Sequence, residues 1–125
     1  MGLVLLDSSV LIALINPTDI HHTSAINSYD PHAILIASAL SITEVLPRAI
    51  AEGRDGAFWR HIGPYIQKVF PVDLDIASLA ARLRSELKLK TPDAIISATA
   101  QLCEAQLWTF DAKLAKATPG SRLLA

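Results

Sequence analysis

Short apolar runs alternate along the chain with longer stretches that carry helix-start and helix-stop signals. Residues 3–6, 33–36, 69–72 and 106–109 are short and apolar, and most lack the alternation expected of a strand with one wet face. They predict buried parallel strands. Residues 9–15, 22–29, 41 to about 52, 57 to about 67, 75–87, 92–103 and 111–117 read as helices. Strands alternating with helices imply an α/β fold, a parallel sheet in a three-layer α/β/α arrangement. Residues 16–19 and 53–56 read as loops, and no repeat, linker or low-complexity tract divides the chain. With 125 residues the sequence predicts one domain over 1–125, burying about two-thirds of the surface that its unfolded chain exposes.

Four acids recur at one kind of place in this pattern. Asp7 follows the first strand and Asp111 follows the strand at 106–109; Glu44 opens the helix that leaves the second strand, and Asp93 opens the helix that feeds the 106–109 strand. Right-handed crossovers point every parallel strand toward the same edge of the domain. Ligands of such sheets bind outside the carboxyl ends, where strand order reverses. Four separate pieces of chain therefore deliver carboxylates to one rim.

Each acid also has a plainer reading. Ser41-Ile42-Thr43-Glu44 fits a capping box, and Glu44 is one turn from Arg48. Asp7 or Ser8 can cap the first helix and Asp111 the last, while Thr91-Pro92-Asp93 sets a capping hydroxyl, a first-turn proline and a dipole-matched acid in sequence. Capping alone, however, does not require carboxylates rather than serine or threonine at this one edge. Pro47 lies inside the Glu44 helix, where a missing donor and ring crowding predict a kink that would re-aim Glu44.

Gathered carboxylates repel, and without compensation some hold a proton. Helix amino ends relieve part of that repulsion and a hard divalent ion relieves more. An all-oxygen donor set without cysteine or histidine at ligand spacing selects magnesium or manganese over zinc. Metal-assisted phosphodiester hydrolysis is the reaction class that follows.

The stretches Leu5-Leu6-Asp7-Ser8-Ser9-Val10-Leu11-Ile12, Ser41-Ile42-Thr43-Glu44-Val45-Leu46, Thr91-Pro92-Asp93-Ala94-Ile95-Ile96-Ser97-Ala98-Thr99-Ala100 and Trp108-Thr109-Phe110-Asp111 together resemble a PIN domain, and more narrowly the VapC-type toxins of toxin–antitoxin pairs. The resemblance covers almost the full length. It implies a five-stranded parallel sheet in the order 3-2-1-4-5, with residues 122–124 as the fifth strand. It also implies that Asp7, Glu44, Asp93 and Asp111 form an acidic quartet that holds Mg2+ or Mn2+ and cleaves RNA to 5′-phosphate and 3′-hydroxyl ends. Ser9 and Thr109 match hydroxyl positions beside the quartet. In this scheme Asp7, Glu44 and Asp93 anchor the metal, and Asp111 orients a water or completes a second metal site. Relatives often carry a further acid just after the Asp111 position; Ala115 stands there in this chain, which leaves the number of metals open. The implied partners are an RNA substrate and a small antitoxin that covers the acidic rim or fills a hydrophobic groove.

Composition adjusts this picture. Hydrophobic residues make up 51% and charged residues 18%, so apolar surface should remain to meet an antitoxin or a second copy in a homodimer. The net charge is −1, from 11 basic and 12 acidic residues, unlike a nucleic-acid binder that relies on a strongly basic surface. Arg82, Lys88, Lys90 and Lys113, with Arg84 and Lys116, are the cations expected near the rim or on helices leading to it, where they would hold phosphates; a solvated helix face explains any one of them equally well. Phe58 and Trp59 suit interior or partner packing better than base stacking. Cys103 is the only cysteine and reads as a small buried hydrophobe in a reducing compartment. His21-His22 reads as a surface helix start. The first residues lack the basic region of a signal peptide, and no stretch reaches membrane-span length, so the expected location is the cytoplasm. Two other classes remain open: a phosphoacceptor receiver domain, which needs paired acids at the first strand and a lysine after the last, and a catalytically inactive PIN-like binding module.

Overall fold

A computed structural model describes residues 2–125. Its strands are β1 (Leu3–Leu6), β2 (Ile34–Ser38), β3 (Lys68–Phe70), β4 (Gln106–Thr109) and β5 (Arg122–Leu123). They form one sheet in the order β3-β2-β1-β4-β5, and every pairing is parallel. The helices are α1 (Ser8–Ile15), α2 (His22–Asn27), α3 (Ala39–Ala51), α4 (Asp55–His61), α5 (Leu74–Leu87), α6 (Thr91–Leu102) and α7 (Ala112–Ala117). The sheet is the five-stranded parallel one, in the order, that the family resemblance implies.

Side-chain alternation divides the core between the two faces of the sheet. Val4, Leu6, Leu35, Ala37 and Trp108 point to the side covered by Val10 and Leu11 of α1, Val45 of α3 and Phe58 of α4. Leu5, Ile36 and Leu107 point to the side covered by Ile96 and Ala100 of α6 and Leu114 of α7. Because both faces are covered, the central strands have no polar positions to alternate with, which is why they read as continuous apolar runs. Beyond α6, helix α5 adds an outer layer through Ile76, Ala80 and Leu83, packed on Ala94 and Ala98.

The sequence misplaces several boundaries. Helix α3 begins at Ala39, two residues before Ser41: Ser38 is the cap, its hydroxyl accepting from Leu40 N–H at 3.1 Å. The Ser41–Glu44 capping box therefore does not form. Ser41 lies fully buried inside the helix with an unpartnered hydroxyl, and Glu44 sits in the second turn rather than at the opening. The earlier start also carries β2 on to Ser38. Thr91 is the first residue of α6 and caps nothing; Lys90 occupies the cap position without a side-chain bond. The helix expected over 57–67 ends at His61 and gives way to a 3-10 turn at Gly63–Tyr65, since Pro64 has no N–H to donate and disfavours helical backbone at the residue before it. Strand β3 is an edge with Lys68 and Val69 exposed, not a buried strand. Pro47 does not end α3, which runs on to Ala51. Gly53 follows that helix with φ +68°, the left-handed stop that glycine adopts without a Cβ penalty.

Candidate active site

Strand order reverses at β1, whose neighbours are β2 on one side and β4 on the other. Asp7 leaves the carboxyl end of β1 at this point, its N–H bonded to Trp108 O at 3.1 Å. It is 6% exposed, and a buried carboxylate persists only where donors meet it. One oxygen, Oδ1, accepts from Ser8 N–H at 2.8 Å and caps α1. The other, Oδ2, accepts from Ser9 Oγ and from Thr109 Oγ1, each at 2.8 Å. The two hydroxyls are aimed in turn: Phe110 N–H donates to Ser9 Oγ at 3.2 Å and Asp111 N–H to Thr109 Oγ1 at 3.0 Å. Three of a carboxylate's roughly four acceptor positions are thus occupied, which fixes the direction of the free one.

Asp111 emerges from β4 beside Asp7 and is exposed. Its Oδ1 accepts from Lys113 N–H at 2.9 Å and Leu114 N–H at 3.2 Å, so it does cap α7. Asp93 stands in the first turn of α6 and is partly buried. Burial raises the pKa of its carboxyl, as do the charges of Asp111 and Asp7, while Lys113 and Lys90 oppose the shift. Glu44 is exposed yet behaves alike: partial desolvation raises its carboxyl, the nearby Ser8 hydroxyl pulls the other way, and the charges of Asp7 and Asp93 raise it again. The four acids therefore share one electrostatic neighbourhood. The nearness of Ser8 to Glu44 is not legible in the sequence, because it depends on α1 and α3 lying side by side.

Among the described residues, no three acidic, histidine or cysteine side chains close on one point as a ready-made metal cage. The four carboxylates offer oxygen donors alone, the kind that hard divalent cations take. Of the cations expected at the rim, Lys90 and Lys113 act on Asp93. Arg82 pairs with Glu86 at 3.8 Å on exposed α5 instead, and Lys88 is the left-handed cap ending that helix. Glu44 does not pair with Arg48, which meets Glu52 at 3.6 Å. His21 caps α2 without a side-chain bond and lies parallel to Phe110, ring centroids 4.2 Å apart. Phe58 is core, whereas Trp59 is half exposed. The Cys103 thiol is raised by burial, in keeping with an unreactive packing residue.

A family model for the PIN domain matches residues 4–118, spanning all four acids. The chain belongs to the PIN domain family. Among solved structures, this PIN domain is similar to a toxin–antitoxin complex from Klebsiella pneumoniae, with 30% identity over 95% of each chain and a TM-score of 0.79. It shares the fold of FitAcB from Neisseria gonorrhoeae (20% identity, 96% of each chain, TM-score 0.76). It also shares that of VapC20 from Mycobacterium tuberculosis, a Sarcin-Ricin loop cleaving toxin (18% identity, 91% of this chain and 94% of that one, TM-score 0.74). No curated protein matches the sequence.

Proposed function

We propose that the chain is a metal-dependent endoribonuclease and the toxin of a toxin–antitoxin pair. The observation that carries this reading is the fixed Asp7 carboxylate at the reversal point, with Glu44, Asp93 and Asp111 within reach of one another's charge. Asp7, Glu44 and Asp93 would hold Mg2+ or Mn2+, directly or through water. When bound, such an ion supplies a water of lowered pKa and offsets the charge that builds on the phosphoryl oxygens. Asp7 presents its one free acceptor position under the control of Ser9 and Thr109. Asp111, exposed and tethered through its own helix cap, orients the attacking water. Attack at phosphorus with loss of the 3′ oxygen leaves a 5′-phosphate and a 3′-hydroxyl. Lys90 and Lys113, beside Asp93, hold the substrate's phosphates. Membership of the PIN family sets the receiver alternative aside.

A small antitoxin is the partner in this proposal. Its place is an apolar groove of about 420 Å³ lined by Leu14, Ile26, Tyr29, Ile62, Tyr65 and Ile66, with Ile26, Tyr29 and Tyr65 about half exposed. Exposed apolar surface of this kind marks an interaction site. The similar complex from Klebsiella pneumoniae supports such a partner. A homodimer would cover Leu74 and Leu87, the exposed first and last residues of α5. No helix among the described residues is long and apolar enough to cross a membrane; a cytoplasmic location belongs to the same proposal.

The test is cleavage of RNA by purified protein with Mg2+ or Mn2+, its loss in EDTA, and its loss in Asp7→Asn and Asp93→Asn variants that keep the wild-type circular dichroism spectrum. Cleavage that survives both substitutions would overturn the assignment, and absence of cleavage in the wild type would leave a PIN-like binding module.

A further inference from the structure

A second recess opens beside the acidic rim, between α1 and α3. Its floor is apolar, built by Ile12 and Ile15 of α1 and Val45 and Ala49 of α3, and Glu44, Arg48, Arg54 and Asn16 complete the lining. Ile12 and Ile15 follow one face of α1 at helical spacing, and Glu44 of α3 lines the recess at its rim end. The recess therefore starts at a member of the acidic quartet and runs away from it along α1, an eight-residue helix about 12 Å long. Its volume is about 170 Å³, below the range of pockets that enclose whole ligands, roughly 300–1,000 Å³. It has room for one flat ring system, with any attached phosphate outside.

The two arginines stand at its edge with free donors. Glu52 bridges them, bonded to Arg54 Nη2 at 2.6 Å and lying 3.6 Å from Arg48 Nε. The Arg54 guanidinium holds the Glu52 carboxyl below its ordinary pKa, so the bridge stays charged. A guanidinium offers five N–H donors, so one shared carboxylate leaves most of each fork available. Two arginines against one glutamate leave a net positive charge at the outer end of the recess. An ordinary surface ion pair explains the bridge but not the apolar floor or the continuity with Glu44.

We propose that the α1–α3 recess is a nucleotide subsite of the same active site. It takes the base of a ribonucleotide flanking the cleaved bond on its apolar floor, with Arg48 and Arg54 on the adjoining phosphates. This rests on the ribonuclease reading given above. The arrangement joins the two requirements of single-strand binding, an apolar or flat surface for a base and cations that follow the backbone. It also gives the substrate a direction: the strand leaves the acidic rim past Glu44 toward Asn16.

The test measures binding of a fluorescent single-stranded oligoribonucleotide to Asp7→Asn protein, so that no cleavage intervenes, across a range of salt concentrations. Adding Arg48→Ala and Arg54→Ala should weaken binding tenfold or more and lower the slope of log affinity against log salt by roughly 1.4, about 0.7 for each phosphate that is no longer neutralised. In the cleaving protein the same pair should raise KM and leave kcat close to wild type. Arg60→Ala, on exposed α4, serves as the control for surface charge. A 4-thiouridine placed next to the cleaved bond should crosslink to peptides containing Ile12, Ile15 or Val45. Unchanged affinity and salt slope in the double variant, or crosslinks confined to α5–α7 while cleavage proceeds, would overturn the subsite and leave the nuclease standing. Failure of the unmodified chain to cleave any RNA would remove both.

Discussion

Thr109→Val tests the device that holds the site together. Thr109 is fully buried; its hydroxyl donates to Asp7 Oδ2 at 2.8 Å and accepts from Asp111 N–H at 3.0 Å. It is a single atom linking the carboxylate at the end of β1 to the backbone that presents the acid after β4. Valine has nearly the same shape, so no cavity term enters. The substitution removes one hydrogen bond to a charged acceptor, about 1.5–3 kcal/mol, and one to a backbone N–H, about 0.5–1.5 kcal/mol. The N–H regains part of its share from water because Asp111 is exposed, so roughly 3 kcal/mol of destabilisation is expected. Against a total stability of about 5–15 kcal/mol that is a large fraction. At about 3–5 °C per kcal/mol for a domain of this size it lowers Tm by roughly 10–15 °C.

Thr109→Ser keeps the hydroxyl and removes one methyl, a loss of about 1 kcal/mol. Urea titrations of wild type, Thr109→Val and Thr109→Ser in EDTA would measure the difference without contribution from a bound ion. The valine variant should unfold well before the serine variant. If valine came within about 0.5 kcal/mol of wild type, or serine matched valine, the hydroxyl would carry no structural load and Asp7 would not be fixed from β4.

The raised carboxyls of Glu44 and Asp93 make the metal-free protein pH-sensitive in a definite direction. Each holds its proton to higher pH when folded than when unfolded, so stability falls as pH rises from the unfolded value through the folded one. Metal-free wild type should therefore lose more stability between acidic and neutral pH than Glu44→Gln does, measured by urea midpoints at several pH values; equal losses would mean that the acids do not repel. Pro47 leaves the Thr43 carbonyl without the donor that an ordinary residue would place one turn on, and the proline is exposed. Pro47→Ala should raise stability by about 1 kcal/mol or more. A decrease, measured by the same titration, would show that the proline ring sets the course of α3.

The buried parts of this fold were the legible parts. Strands β1 and β4 lie where their apolar runs stand, because a strand covered on both faces must be apolar throughout. At β3 the same inference erred in degree: an edge strand is covered on one side, and Lys68 and Val69 face water. Helix starts were read from side chains that can cap, and this worked at Asp111, the one candidate for the last helix, and at Asp7, one of two adjacent candidates with Ser8 for the first. It failed at α3, where Ser38 and Ser41 lie three residues apart and either can cap. The choice was made by β2, whose pairing runs to Ser38, so the strand's end fixed the helix's start. No local pattern contains that information.

The same logic explains how the acidic site could be read in outline but not in detail. Parallel strands joined by right-handed crossovers send every strand end to one rim, so an acid after β1 and an acid after β4 are neighbours by topology alone. Topology does not say which acid is held and which is free. Asp7 is buried and takes three donors, two of them hydroxyls from α1 and β4, whereas Asp111 commits one oxygen to its own helix and stays exposed. A rigid acid beside a solvated one is the asymmetry that the proposed chemistry needs, one carboxylate to fix an ion and another to steer a water. Ser9 and Thr109 create that asymmetry. A variant that loses either hydroxyl should therefore weaken ion binding, measured by titration calorimetry, as well as cost stability.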